Sequence, residues 1–337
     1  MKKSRRRDLA LACVAILGPT AAHAAGSASA APPVAITEWP VPWPDTRPRD
    51  PYVAPDGAVW LVGQRGDYVA RFDPESEAFR RFDLADGAGP HTVIVDASGI
   101  PWYAANRAAH IGKVEPSNGE ITRYAMPDPA ARDPHTMTFG TDGAIWFTVQ
   151  GGNFVGRLDP ASGAVELVAV PTARARPYGI VTAADGTLWV VLFGTNKLAR
   201  VDPATRTLAE IELPRAECRP RRLGLTSDGA VWYTDYAGGF VGRYDPATGA
   251  VREWPTPAGA AGRPYALAVD DADRIWWAET GAEPNRLVGF DSRRGEVVSL
   301  TEIASGAGAV RHMVFHSPTR ALWFGTDAGT LARAVVP

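Results

Sequence analysis

The chain has 337 residues, 45 % of them hydrophobic and 21 % charged, with a formal net charge of −2. This is enough apolar material for a sizeable core, which excludes disordered and collagen-like chains. The near-neutral balance, without a long basic run, argues against nucleic acid or an anionic lipid surface as partner.

Residues 1–24 read as a secretory signal peptide. Lys2, Lys3, Arg5, Arg6 and Arg7 make a basic start, Leu9 to Leu17 an apolar run, and Ala22-His23-Ala24 a small-x-small cleavage pattern. The apolar run is too short to span a membrane. A periplasmic or secreted protein is therefore expected. Cleavage removes five Lys/Arg and one Asp, so the −2 of the whole chain becomes about −6. One cysteine, Cys218, remains; it forms no internal disulfide and reads as a small buried hydrophobe. Residues 25–35 read as a flexible N-terminal segment.

From residue 36 onward the chain is a repeat. Tryptophans fall at 60, 102, 146, 189, 232, 276 and 323, at spacings of 42, 44, 43, 43, 44 and 47. That period suits four short strands and their turns, the length of one propeller blade. Twelve residues before the Trp stands a Pro followed by His or an aromatic, as in Pro90-His91, Pro134-His135, Pro177-Tyr178 and Pro264-Tyr265. Just before the Trp comes a tight turn such as Asp142-Gly143, Asp185-Gly186 or Asp228-Gly229. After it comes Gly156-Arg157-Leu158-Asp159-Pro160, echoed at Gly242 to Pro246. One unit is expected as strands over 135–140, 144–149, 153–158 and 164–170.

The last unit, around Trp323, ends at Pro337 without a fourth strand, while Ile36 to Pro42 (ITEWPVP) is an orphan fourth strand resembling Val251 to Pro257. The N-terminal strand is therefore expected to complete the C-terminal blade. That clasp closes an all-β, seven-bladed β-propeller over residues 36–337 and removes its open edges.

In a propeller the innermost strands line the axis, so one repeat column becomes a ring. The residue after the Pro position gives Tyr52, His91, His135, Tyr178, Arg221, Tyr265 and His312. A second column, three or four residues after the Trp, gives Gln64, Asn106, Gln150, Phe193, Asp235, Glu279 and Asp327. The repeated Trp residues are core, because inter-blade packing needs the same large ring in every blade. The ring residues vary from blade to blade, and variation within a regular repeat is where a site is specialised. His110 and His316 fall outside the ring and read as structural.

The stretches Arg263 to Asp291 and Ala130 to Asp159 resemble blades of the streptogramin B (virginiamycin B) lyases. Their shared marks are Pro-His/Tyr-x-Ile/Val, a Trp-Phe-Thr-Glu-like strand, Asn-x-Ile/Val-Gly-Arg and a final strand of the Glu-Trp-Pro type. The resemblance covers residues 36–337 and implies an elimination that opens an ester-linked cyclic peptide or related ester without water. A base removes the proton α to a carbonyl, and Mg²⁺ steadies the developing charge. It implies His312 as base, Tyr265 at the position of the family's second catalytic His, and Asp327 with Glu279 nearby as metal ligands. Tyr52, His91, His135, Tyr178 and Arg221 are then the substrate-binding set, taking a small molecule or cyclic peptide at the channel mouth. Two positions depart from the family: Val310 stands for a Glu, and Tyr265 for the His. Two other readings stay open. One is a non-catalytic periplasmic propeller whose Tyr and Arg side chains hold a planar or anionic ligand. The other is a metal-dependent lactonase-like hydrolase.

Overall fold

The computed structural model describes residues 32–337; the signal peptide expected over 1–24 lies outside them. Seven four-stranded antiparallel sheets follow one another: blade 1 over residues 48–83, blade 2 over 90–125, blade 3 over 134–169, blade 4 over 177–212, blade 5 over 220–255 and blade 6 over 264–302. Blade 7 joins three strands from 310–335 with the N-terminal strand Ala35–Pro40, which pairs in register from Ala35↔Val335 to Pro40↔Thr330. No helix among the described residues is long and apolar enough to cross a membrane.

The clasp is held by more than its ladder. Trp39 stacks on Trp323 with ring centroids 5.6 Å apart. The Glu38 carboxylate accepts from the Ser305 backbone N–H and from the Thr330 hydroxyl, both at 2.9 Å. Just before it, the Val34 N–H donates to the Thr301 hydroxyl, and Ser299 donates to the carbonyl of Pro32. Residues 32–34, which fall in the segment expected to be flexible, are thus bound to blade 6, which offers those polar partners.

Burial follows position in the blade. The second strands, such as Ile145–Val149, Leu188–Leu192 and Val231–Asp235, are buried along their whole length between neighbouring sheets. The outer strands, such as Val165–Ala169 and Leu208–Glu212, are only partly buried. All seven repeat tryptophans are at most 4 % exposed. The glycine of the Gly-Arg-x-Asp-Pro repeat has a packing cause. A Cβ on Gly156 would sit 2.2 Å from the Phe147 ring, and one on Gly242 would sit 2.1 Å from the Tyr233 ring. The aspartate that follows caps its turn: Asp159, Asp202 and Asp245 each accept from two backbone N–H groups.

What positions the site is a defect repeated seven times. Each innermost strand carries a register shift near its start, after the first residue in blades 2 to 7 and after the second, Arg49, in blade 1. A bulge frees residues from the ladder and re-aims their side chains. Here it turns one dipeptide per blade toward the axis: Arg49-Asp50, His91-Thr92, His135-Thr136, Tyr178-Gly179, Arg221-Arg222, Tyr265-Ala266 and Arg311-His312.

Candidate functional site

The register corrects the expected ring at two places. Pro48 pairs with Gly63 as Pro90 pairs with Ala105, so the blade 1 ring residue is Arg49. Tyr52 pairs with Trp60, deeper in the strand. In blade 7, Val310 pairs with Thr326 and takes the proline's place, so Arg311 is the ring residue and His312 lies one step deeper. The cause is a turn at Ser317–Thr319, which lengthens the run before Trp323 by one residue.

The first tier is thus Arg49, His91, His135, Tyr178, Arg221, Tyr265 and Arg311. Its members touch in sequence around the axis. Arg49 donates to His91 Nε2 at 2.7 Å. The His91 and His135 rings lie 3.5 Å apart, and His135 lies 3.9 Å from the Tyr178 ring. The Tyr178 and Tyr265 hydroxyls are hydrogen-bonded to each other across the channel. Arg221 donates to the Tyr265 hydroxyl at 3.0 Å. The Arg221 guanidinium also lies 3.7 Å from the Tyr265 ring, 4.1 Å from Tyr236, 4.6 Å from Phe193 and 5.2 Å from Tyr178. Arg311 approaches the Tyr265 ring at 5.8 Å.

The second tier is a buried ion network. Asp50 pairs with Arg49 and with Arg222, each at 3.0 Å, and accepts from the Thr92 hydroxyl at 2.9 Å. Arg222 spans the channel from blade 5. It also reaches Thr136 of blade 3 and the carbonyl of Arg311 in blade 7, both at 2.9 Å. Because Arg49 is only a donor, His91 Nε2 is an acceptor, and Nδ1–H faces Thr92 at 3.0 Å. The Asp50 residue sits at φ 44°, a left-handed conformation that Asp and Asn adopt at little cost.

The electrostatics follow from burial among guanidinium groups. Burial opposes the Asp50 carboxylate, yet Arg49 and Arg222 hold it far below the usual carboxylate range. Burial and then the neighbouring arginines push His91 well below its ordinary value. His135 falls likewise, through burial and then His91. His312 is lowered to about 3, by burial and then Arg222. All three are neutral imidazoles at neutral pH. Tyr265 goes the other way from an ordinary buried phenol. Burial raises it, but Arg221, Arg49, Arg222 and Arg311 together outweigh burial and lower it to about 8. Its partner Tyr178 is raised, by burial and by Tyr265.

The remaining expected residues lie apart. Tyr52 and His312 line a cavity of about 500 Å³ that continues along the axis beyond the second tier, among Ile94, Met137, Leu223 and Leu267. The Nδ1 atom of His312 is buried without a hydrogen-bond partner. Asp327 stands at the rim, clasped through both oxygens by Arg311 at 3.1 and 2.5 Å, with Arg47 at 3.8 Å. Glu279 is fully buried beside its own blade's loops, bound by Arg286 at 2.6 Å and by the Ala258 N–H at 2.8 Å.

These carboxylates do not fit a magnesium site. A hard divalent cation needs about six oxygen ligands, and here both carboxylates are already neutralised by arginine. Among the described residues no group of three or more His, Cys, Asp or Glu is placed to hold a metal.

Sequence reasoning missed Arg49, Asp50, Arg222 and Arg311. For blade 1 the signal was present: twelve residues before Trp60 stands Pro48, followed by Arg49. The more conspicuous Pro51-Tyr52 pair masked it.

A sequence model described as the virginiamycin B lyase family matches residues 28–334. No curated protein sequence matches significantly. Among solved structures, a streptogramin B lyase is 25 % identical at a TM-score of 0.80, covering 89 % of this chain and 97 % of that one. A catalytically inactive histidine-to-alanine variant of virginiamycin B lyase from Staphylococcus aureus, with quinupristin, is 22 % identical at a TM-score of 0.82, covering 90 % and 99 %. The WD40 propeller domain of Doa1 is 12 % identical at a TM-score of 0.72, covering 89 % and 97 %, which is likeness of fold alone.

Proposed function

The chain belongs to the virginiamycin B lyase family, and from that premise we propose that it is a carbon–oxygen lyase working at the ring end of its channel. The observation that carries this reading is the Tyr265 hydroxyl. It is bonded to Arg221 at 3.0 Å and to Tyr178, and guanidinium groups favour its ionised form. A phenol titrating near working pH is suited to general-base catalysis.

In the proposed step the Tyr265 phenolate takes the proton α to a carbonyl. The C–H electron pair becomes a carbon–carbon double bond, the β C–O bond breaks, and the carboxylate of the ester leaves with its electron pair. No water is consumed. The negative charge that develops on the carbonyl oxygen and the leaving group faces Arg221 and Arg311, whose fixed positive charge stabilises it. His91 and His135 stay neutral and shape the wall beside Tyr178. No step runs through a metal.

The test is incubation of the full chain with a streptogramin B and with a panel of acyclic β-acyloxy carbonyl compounds, followed by mass spectrometry. Elimination opens the ring at unchanged mass. Gain of one water indicates the hydrolase. Intact compounds throughout, together with saturable ligand binding, indicate the non-catalytic propeller.

A further inference from the structure

We propose that the ring end of the channel is a carboxylate-binding site with Arg221 as the anion-recognising group, and that the substrate is therefore a carboxylic acid with an oxygen leaving group on its β-carbon. The second clause rests on the lyase reading; the first does not.

Five guanidinium groups meet around the first and second tiers: Arg47, Arg49, Arg221, Arg222 and Arg311. The carboxylates in ion-pair contact with them are Asp50, shared by Arg49 and Arg222, and Asp327, shared by Arg311 and Arg47. Arg221 has no carboxylate partner among the described residues. Its cation is faced instead by Tyr178, Phe193, Tyr236 and Tyr265. Aromatic faces attract a cation but do not neutralise it. Its Nε is buried with no acceptor. A buried donor without an acceptor costs about 1–3 kcal/mol, a cost that a carboxylate accepting from this Nε would relieve. Arg221 as a residue is half-buried, so it is reachable from the rim. A planar guanidinium in an aromatic box is matched by a carboxylate, which accepts two parallel N–H bonds while its neighbouring carbon packs on the rings.

Placement then fixes the chemistry. Arg221 and Arg311 both lie against Tyr265, the first at 3.7 Å and the second at 5.8 Å from its ring. A carboxylate held there puts its own α-carbon near the Tyr265 oxygen. Tyr265 takes the α-proton, the pair forms the Cα–Cβ double bond, and the β C–O bond releases the leaving group as its anion. The one extra negative charge of the enolate-like state, which makes the bound carboxylate a dianion, meets the surplus guanidinium charge. This is the task the family assigns to a metal, carried by arginines of the chain itself.

The test uses benzoate and its neutral isostere benzamide, titrated calorimetrically into the full chain. Saturable benzoate binding, with benzamide at least about tenfold weaker, is the expected result, because one charge-assisted bidentate pair is worth that much. Arg221→Gln should lose the preference, and Arg221→Lys should keep charge but bind more weakly, with circular dichroism confirming the fold. A second readout needs no variant: benzoate should raise the pH at which tyrosinate absorbance appears, since it neutralises the charge that favours the Tyr265 phenolate. Equal binding of both probes, no binding of either, or benzoate binding unchanged in Arg221→Gln overturns the site. Benzoate binding through Arg221 without turnover of any β-acyloxy acid sinks the lyase reading and leaves the site standing. Turnover of streptogramin B without benzoate binding does the reverse.

Discussion

Asp50→Asn separates the charge of the buried network from its shape. The side chain keeps its volume, and Asn is as content as Asp at the φ of 44° found there. What is lost is the negative charge between Arg49 and Arg222, each 3.0 Å away, at a position 1 % exposed. Removing one partner of a buried pair strands the other charge and costs about 3–5 kcal/mol. At about 2 °C per kcal/mol for a chain of this size, the melting temperature should fall by roughly 6–10 °C. Urea and thermal unfolding at neutral pH measure this. The sign with pH also follows. The carboxyl is depressed in the folded state, so its contribution is complete above its unfolded value near 3.8 and is lost as pH falls toward the folded one. The gap between wild type and Asp50→Asn should therefore narrow below about pH 4. Adding Arg222→Met should recover part of the loss, since one stranded cation is gone. An Asp50→Asn variant within about 0.5 kcal/mol of wild type would show that the network is not held by this charge.

Other perturbations probe the rest of the molecule. Tyr265→Phe should cut elimination by at least about 10²-fold in steady-state assays while leaving the melting curve close to wild type. The wild-type rate should climb with pH through about 8 as the phenolate forms, and Arg221→Gln should move that rise upward. EDTA should leave turnover unchanged in the same assay, because Asp327 and Glu279 are committed to arginines; recovery of activity only with added Mg²⁺ would refute this assignment. Deleting residues 32–42 should expose the Thr330–Val335 edge and produce aggregation visible by light scattering, since that edge then has no partner.

The place of histidine is where family and chain diverge. His312, the base implied by resemblance, lies in the second tier and lines the axial cavity rather than the ring. Replacing it with Ala distinguishes the two assignments: elimination that survives in His312→Ala and fails in Tyr265→Phe places the base at the tyrosine.

Periodicity was enough to read the architecture. A tryptophan every 42–47 residues demands the same buried site seven times, and an orphan ITEWPVP strand at one end demands the three-stranded blade at the other. Both are local signals that any copy of the repeat carries. The ring was legible only where its proline marks it, as at His91, His135, Tyr178 and Tyr265. It was misread at Tyr52, where a second Pro-aromatic pair competes with Pro48-Arg49, and at His312, where one added turn residue lengthens the run before Trp323. The pairing of charges was beyond sequence altogether. Arg222 reaches Asp50 from 172 positions away, across an axis that exists only once seven sheets have closed. Closure also decided which arginines are neutralised and which one, Arg221, is left facing aromatic rings. Charge balance is a property of distance in space, and the chain acquires it only on folding.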